Sequence, residues 1–294
     1  MRKVKFIINP AAGFRRDKRQ IYNLIRQRCK GWKLSIKHTA GRGDATRIAR
    51  QAAAEDYDLV VAIGGDGTVN EVASGLVGTE TALGVIPHGS GNGLARSLNI
   101  PLQITPALEV ICTGREHRID VGRAAHRYFF VVAGVGFDAN VAHKFNSAVW
   151  RGPVPYFYIA AREFGNYQPE PLRLCFENQA IELTPFLVTI ANTQQYGNGA
   201  IIAPQARPDD GLLDFCVVRP MTFVEFMLHA PKLFTGKADT VPLITYYRAA
   251  TAVIEKSAPV LFHVDGEAEA SPGPIDIAVL PRALKVIVPS TYAS

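Results

Sequence analysis

The sequence predicts an α/β domain, a parallel sheet with helices on both faces, followed by a β-rich antiparallel sandwich domain. Three observations carry this prediction. Apolar runs of strand length alternate with segments of helical periodicity between Val4 and Thr113, and such alternation builds parallel sheets joined by helical crossovers. The run Leu59–Ile63 leads straight into Gly64-Gly65-Asp66-Gly67-Thr68-Val69-Asn70-Glu71. That is a glycine-rich turn opening a helix, with Val69, Val72, Ala73 and Leu76 on one face. From Ile119 onward, short β-rich runs separated by turn residues take over, the pattern of a sandwich or barrel. The domains are therefore read as residues 1–118 and 119–282.

In the first domain, strands are predicted at Val4–Ile8, Lys33–His38, Asp58–Ile63 and Leu83–Ile86. Helices are predicted at Asp17–Cys29, Asp44–Glu55, Thr68–Leu76 and Pro106–Thr113. Thr105 is expected to cap the last of these, with Pro106 at its first position and Gly114 beyond its end. In the second domain, strands are predicted at Tyr128–Ala133, Leu172–Phe176, Phe186–Asn192, Leu213–Val218, Tyr246–Ile254, Val260–Val264, Ile275–Leu280 and Leu284–Val288. Two helices interrupt them. One spans Tyr156–Phe164. The other opens at Thr222, with Glu225 three residues on as a capping box, and runs through Leu233.

A length of 294 residues allows two domains. Hydrophobic residues at 48% and charged residues at 20% suit a soluble globular chain. Cys29, Cys112, Cys175 and Cys216 are far apart and form no CxxC pair. That argues against a zinc site or disulfide framework and for a reducing cytoplasm. The apolar part of the N-terminus reads as too short for a signal peptide. No apolar stretch reaches the ~20 residues needed to span a bilayer. The net charge is +6 and the pI about 9.2, which suits nucleic acid, anionic membrane or a phosphorylated ligand. No helix-turn-helix, zinc-finger or RNP-like pattern supports nucleic acid. The early basic residues, Arg15, Arg16, Lys18, Arg19, Arg26, Arg28 and Lys30, read first as a solvated helix face.

Ligands of open α/β sheets bind beyond the carboxyl ends of the strands. Three such ends carry turn chemistry: Asn9-Pro10-Ala11-Ala12-Gly13, Gly64–Thr68, and Pro87-His88-Gly89-Ser90-Gly91-Asn92-Gly93. The candidate ligand contacts are Asn9, Gly64, Gly65, Asp66, Gly67, Thr68, Asn70, Glu71, Gly89, Ser90 and Asn92. Glycines let the backbone approach a ligand and tolerate positive φ. Free N–H groups at a helix start suit phosphate oxygens. Asp66 would repel those oxygens unless a cation lay between them, which points to a nucleotide with Mg²⁺.

The Gly64–Glu71 loop followed by Pro87–Arg96 resembles the diacylglycerol kinase catalytic-domain family, which includes bacterial soluble lipid kinases and the sphingosine and ceramide kinases. Ile119-Asp120-Val121-Gly122-Arg123, Gly134-Val135-Gly136-Phe137-Asp138, Asp209-Asp210-Gly211-Leu212-Leu213-Asp214 and Asp265-Gly266-Glu267 continue the resemblance in the family's order. It implies an NAD kinase-like first domain, a nucleotide site in the cleft, and return of residues 283–294 to the first domain. It further implies that Thr39, the Gly64–Glu71 loop and Ser90 contact ATP, and that Glu267 is the general base. Asp210, with the carbonyls of Arg207 and Leu212, would hold a structural Mg²⁺. Many bacterial members carry Gly-Thr-Ala-Asn-Asp after the proline. The Gly89-Ser90-Gly91-Asn92-Gly93 stretch is more similar to the sphingosine and ceramide kinase branch, which leaves the lipid open.

The expected activity is ATP-dependent phosphoryl transfer to a lipid hydroxyl, with Glu267, Asp265 and Asp120 as candidate catalytic carboxylates. Simpler roles stand beside these. Asp265-Gly266-Glu267 and Asp209-Asp210-Gly211 also read as turns, and Asp120 as a strand-end group capping a neighbouring backbone. Phe223, Phe226, Met227 and Leu228 read as core or as a groove for an acyl chain. The rival functions are a soluble metabolite kinase of the NAD kinase type and a lipid- or nucleotide-binding protein without turnover. The expected partner is a lipid substrate, met from the cytoplasm by peripheral contact at the inner membrane face, with no nucleic acid. A homodimer stays open.

Overall fold

The computed structural model describes residues 1–10, 18–146, 153–256 and 259–293. Three sequence readings fall partly outside them: the Ala11–Gly13 end of the first loop, the basic pair Arg15 and Arg16, and the Asp17 start of the first helix. The chain divides into two compact units, Met1–Asp120 with Pro281–Ser294, and Val121–Leu280.

The first unit runs β1 (Lys3–Ile8), α1 (Lys18–Arg28), β2 (Lys33–His38), α2 (Asp44–Ala54), β3 (Leu59–Gly64), α3 (Asp66–Leu76) and β4 (Ala82–Pro87). Then follow α4 (Gly93–Ser97), α5 (Ile104–Thr113) and β5 (Arg115–Ala124), whose last residues enter the second unit. The strands β2-β1-β3-β4 are parallel neighbours. Every residue of β3 and β4 is buried, which is why both read as unbroken apolar runs rather than as alternation. Helix α2 turns Ala45, Ile48, Ala49 and Ala52 inward, and α3 buries Val69, Val72, Ala73 and Leu76. Both stripes follow helical spacing. The two helices approach so closely that a Cβ on Gly75 would lie 2.6 Å from the Thr46 carbonyl oxygen.

Helix α5 begins earlier than predicted. Gln103 is its N-cap, without a side-chain cap bond, so Thr105 lies inside the first turn instead of capping it. Pro106 is then the third helical residue, where no intrahelical N–H bond is lost because the first four amides have none. The five-residue α4 is too short for periodicity to reveal, and β5 opens on the polar stretch Arg115-Glu116-His117-Arg118.

The second unit opens with β6 (Arg127–Phe129), β7 (Val132–Gly136), α6 (Phe137–Asn146), α7 (Pro153–Phe164), β8 (Leu172–Cys175), β9 (Ala180–Leu183), β10 (Leu187–Ala191), β11 (Gln195–Gly197) and β12 (Ala200–Ile201). It continues with β13 (Leu213–Val218), α8 (Phe223–Phe234), β14 (Ile244–Ala249), β15 (Thr251–Glu255), β16 (Val260–Val264), β17 (Glu267–Ser271) and β18 (Ile275–Val288). One antiparallel sheet runs β14-β13-β10-β7-β16-β17. In a second layer, β15 pairs with the first half of β18 and with β8, which pairs with β9. Side chains of both layers share one core that includes Phe129, Val135, Leu174, Phe215, Ile254 and Phe262, as alternating strands facing each other should. The predicted capping box is present: Thr222 Oγ1 accepts the Glu225 amide at 3.2 Å, and Glu225 Oε2 accepts the Thr222 amide at 2.7 Å.

Three stretches depart from the predicted strands. Tyr128–Ala133 is parted into β6 and β7, because the amides of Phe130, Val131 and Val132 turn to the Asp265 carboxylate at 2.9–3.1 Å. Tyr246–Ile254 folds at Ala250 into β14 and β15, which pair in different sheets. Ile275–Leu280 and Leu284–Val288 form one 14-residue strand, β18. Pro281 and Arg282 lie between the two predicted strands. Arg282 takes a φ of 50°, but Asp120 accepts its amide at 2.7 Å and carries the chain through. Beyond it, Val286 pairs with Leu83 of β4.

Candidate functional site

At the carboxyl ends of the first unit's strands, three loops are stitched together. Asn9 donates its amide to the Ile63 carbonyl at 3.2 Å and its side-chain Nδ2 to Thr68 Oγ1 at 3.0 Å. The His88 amide reaches the Gly64 carbonyl at 2.7 Å, and Thr39 donates to the Ile8 carbonyl at 3.0 Å. Asn9, Thr39, Gly64 and Thr68 are therefore neighbours. Gly65, Asp66 and Gly67 are half-buried, while Gly89 and Ser90 are exposed at the tip of the second glycine loop.

The glycines answer a packing demand. Gly65 has a φ of −85°, and none of Gly64, Gly67, Gly89 and Gly91 adopts positive φ, so the expected left-handed turn is not how they are used. A Cβ on Gly89 would fall 2.6 Å from Gly65 Cα, and one on Gly64 would fall 2.6 Å from Thr68 Oγ1. The two loops thus touch backbone to backbone. Asp66 ties them: Oδ2 accepts the Asn92 amide at 2.9 Å and Oδ1 the Gly93 amide at 2.7 Å, at the start of α4. Asn92 sits at a φ of 52°. It closes its own loop by accepting from the Gly89 amide at 2.9 Å and donating to the Gly89 carbonyl at 2.8 Å. Both Asp66 oxygens are thus engaged with amides, and a cation would have to share their remaining lone pairs. Glu71 accepts the Gly43 and Ala45 amides at 2.8 and 3.1 Å, satisfying donors that the start of α2 leaves open. Asn70 is buried and accepts the Ser74 hydroxyl at 3.3 Å. These two residues brace the loop from behind.

In the second unit, Asp265 and Gly266 form the two-residue loop of the β16–β17 hairpin, with φ of 47° and 83° and Val264 paired to Glu267. Positive φ at both central positions is the type I′ geometry that Asp-Gly favours. The Asp265 carboxylate pins the turn on the three amides of Phe130–Val132. Glu267 heads β17, half-buried, with Oε2 3.2 Å from Arg127 Nη2, and the same guanidinium pairs with Glu269. Asp120 lies in the first unit, fully buried on the Arg282 amide. Asp265 and Asp120 are therefore backbone anchors, whereas Glu267 faces a cation.

The Asp209–Leu212 segment is also a turn and leads into β13, with Gly211 at a φ of 74° and the Leu212 amide donating to Asp210 Oδ1 at 3.1 Å. Asp210 pairs with Arg248, whose Nε is 3.4 Å from Asp214 Oδ1. Asp214 is buried, and its Oδ2 has no hydrogen-bond partner among the described residues. Burial pushes the Asp214 carboxyl above its usual range, with Arg248 pulling against it.

Both parts of the chain match known protein families. A model of the diacylglycerol kinase catalytic domain matches residues 3–124, and one of the YegS C-terminal NAD kinase beta sandwich-like domain matches residues 131–288. Over 254 residues the chain is 31% identical to a diacylglycerol kinase of Mycobacterium tuberculosis (strain ATCC 25618 / H37Rv), covering 84% of this chain and 82% of that one. The chain belongs to the diacylglycerol kinase catalytic-domain family. A diacylglycerol kinase of Bacillus subtilis (strain 168) is 29% identical over 277 residues, 91% of this chain and 90% of its own. The fold matches the crystal structure of a diacylglycerol kinase from Bacillus anthracis str. Sterne at a TM-score of 0.76. That match has 23% identity and covers 99% and 98% of the two chains.

For this diacylglycerol kinase family member, the Asp210 loop offers donors that could suit Mg²⁺, although a cation would have to share the Asp210 oxygens with the Leu212 amide and Arg248. Its donors, one carboxylate with the Arg207 and Leu212 carbonyls, are hard oxygens of the kind Mg²⁺ takes. The orphaned buried oxygen of Asp214, sharing Arg248 with Asp210, marks a spot short of positive charge. Among the described residues no cluster of three His, Cys, Asp or Glu side chains forms, so carbonyls would have to complete the coordination. Sequence reasoning missed Arg127, Arg248 and the burial of Asp214. The available signal was an acid inside an apolar strand, Leu213-Asp214-Phe215, since a buried charge needs a partner. It also gave no role to Asp138, although Gly134–Asp138 carried part of the resemblance.

Proposed function

We propose that this chain transfers the γ-phosphate of ATP to a hydroxyl group of a lipid. The observation that carries the reading is the pair of glycine loops held backbone to backbone by Asp66 at the ends of β3 and β4, in a chain of this family. Backbone amides of the loops and the start of α3 bind phosphate oxygens. Thr39 and Ser90 add hydroxyls to the nucleotide contacts. Mg²⁺, when bound, offsets phosphate charge, and Asp210 with the Arg207 and Leu212 carbonyls would hold a structural one. Glu267 takes the hydroxyl proton as the lipid oxygen bonds to phosphorus and ADP leaves. Labelled ATP offered with diacylglycerol, a sphingoid base, ceramide or phosphatidylglycerol in micelles should give a phosphorylated lipid on chromatography. Label appearing only on NAD would instead favour a metabolite kinase, and no transfer to any acceptor would favour a binding protein.

A metal prediction follows from the Asp210 loop. A ligand bound only by the folded state stabilises it by about 2.7 kcal/mol at 100 times its Kd. Wild-type Tm is therefore expected to be higher in Mg²⁺ than in chelator, and Asp210→Ala should lose most of that difference. Equal shifts in both proteins would make Asp210 a turn residue only.

Access to lipid is assigned to α8. Val224 is 76% exposed, Leu228 70%, Met227 54% and Phe223 50%, on one face by helical spacing, so these residues are not core. Phe164 holds the helix through Phe223 and Phe226, with ring centroids 5.5 and 5.4 Å away, and leaves Val224, Met227 and Leu228 outward. An exposed apolar helical face on a chain of net charge +6 suits an anionic lipid surface. No helix among the described residues is long and apolar enough to cross a membrane. Binding to anionic vesicles should weaken as salt rises and fall about tenfold or more in Leu228→Glu, since burying an unpaired charge is costly. Undiminished vesicle sedimentation of Leu228→Glu would remove α8 from this role.

A further inference from the structure

The Gly134–Asp138 segment places a buried carboxylate that no step above uses. Asp138 is 3% exposed and His263 4%. Asp138 Oδ2 lies 3.0 Å from His263 Nε2 and accepts the Tyr196 hydroxyl at 2.9 Å, while Oδ1 accepts the Ala139 amide at 2.8 Å. On the other side of the imidazole, the Gly266 amide points at Nδ1 at 3.4 Å. An amide can only donate, so Nδ1 must offer a lone pair and Nε2 must carry the proton toward Asp138. The ring therefore links a buried carboxylate to the amide that lies between Asp265 and Glu267.

The strands leave deliberate room for this link. His263 and Gly134 are paired across β16 and β7. A Cβ on Gly134 would fall 2.4 Å from Asp138 Oδ2 and 2.7 Å from His263 Nε2. The hairpin is thus held at both central residues, by the Asp265 carboxylate on the Phe130–Val132 amides and by His263 on Gly266. Arg127 then meets the Glu267 side chain itself.

We infer that Asp138 and His263 are a positioning pair: Asp138 fixes the tautomer of His263, and His263 holds the Gly266 amide so that Glu267 stands where a substrate hydroxyl can give up its proton. This rests on the proposed role of Glu267 as the base. Neither residue of the pair touches substrate. Their effect runs through Glu267 alone, and small displacements of a positioned base cost on the order of 10- to 10²-fold in rate.

Three measurements test it on the intact protein. The ¹⁵N shifts of the His263 ring should report the proton on Nε2, and a proton on Nδ1 overturns the inference whatever the enzyme does. His263→Phe should lower kcat by about tenfold or more with the KM for ATP unchanged. His263→Gln, which keeps one donor and one acceptor, should recover most of the loss. If His263→Phe does not fold, the Gln variant and the ring shifts still decide. In the Glu267→Gln background, His263→Phe should cost nothing further, because residues acting as a unit are not additive. A full additional loss there, or a rise in KM alone, makes the pair structural. Normal turnover by Glu267→Gln on its own would sink the base assignment while leaving the ring-shift result standing.

Discussion

Glu267→Gln is expected to cut kcat by about 10²-fold or more while barely changing the KM for ATP. A lipid hydroxyl has far too high a pKa to ionise at neutral pH, so a group must accept its proton as the bond to phosphorus forms. Glutamine keeps the size and one acceptor oxygen but gives up most of the basicity. The hairpin should survive the change, because Asp265 and not Glu267 pins it on the Phe130–Val132 amides. Arg127 keeps Glu269 as a partner, so its guanidinium is not stranded. Glu269→Gln is the matched control. It removes the other carboxylate from Arg127 and should leave kcat within a few-fold of wild type, as exposed or half-buried ion pairs contribute about 0–1 kcal/mol. If Glu267→Gln binds ATP poorly, Glu267 is a nucleotide or metal ligand. If it turns over normally, Asp120 does not replace it easily, since that carboxylate is fully buried on the Arg282 amide.

What the sequence revealed and what it hid divide along a physical line. Elements whose side chains face one way announce themselves by period: β3 and β4 as unbroken apolar runs, α2 and α3 as stripes, Thr222 with Glu225 as a cap. The Asp-Gly hairpin was legible because few other residues tolerate two positive φ values in succession. Hidden were the places where one side chain serves a distant backbone. Nothing near Phe130 says that Asp265 will part its strand, and nothing near Arg282 says that Asp120 will carry β18 through a proline. The glycines of these loops were expected to supply positive φ, which none of Gly64, Gly65, Gly67, Gly89 and Gly91 adopts, whereas Gly65 and Gly89 are required by each other. A loop–loop contact has no signature within either loop. The same holds for Asp66. An acid in a glycine-rich turn reads as a metal contact, and nothing within the turn says that the second loop's amides engage both its oxygens.

That geometry changes what removing Asp66 should do. If it were only a metal contact, Asp66→Ala would lower the rate and leave the loops in place. With its oxygens on the Asn92 and Gly93 amides at 2.9 and 2.7 Å, the variant strands two donors at the start of α4. Each buried group left unpaired costs about 1–3 kcal/mol. Transfer should fall by about 10³-fold or more, with the KM for ATP rising and Tm dropping by several degrees. Gly89→Ala should give the same phenotype by another route, because its Cβ would meet Gly65 Cα, a backbone atom that has no rotamer to retreat into, at 2.6 Å. The two changes attack one contact, so the double variant should be little worse than either single one. A coupling energy of about 1–3 kcal/mol is the expected sign of that shared structure. Additive losses would mean that the loops work independently and that Asp66 acts on the metal alone. Asp66→Asn refines the test. Its amide keeps one acceptor and turns the other position into a donor facing a donor, so it should lie close to Asp66→Ala in both ATP affinity and Tm. Wild-type ATP affinity in Asp66→Asn, with only kcat reduced, would return Asp66 to the role of a pure charge.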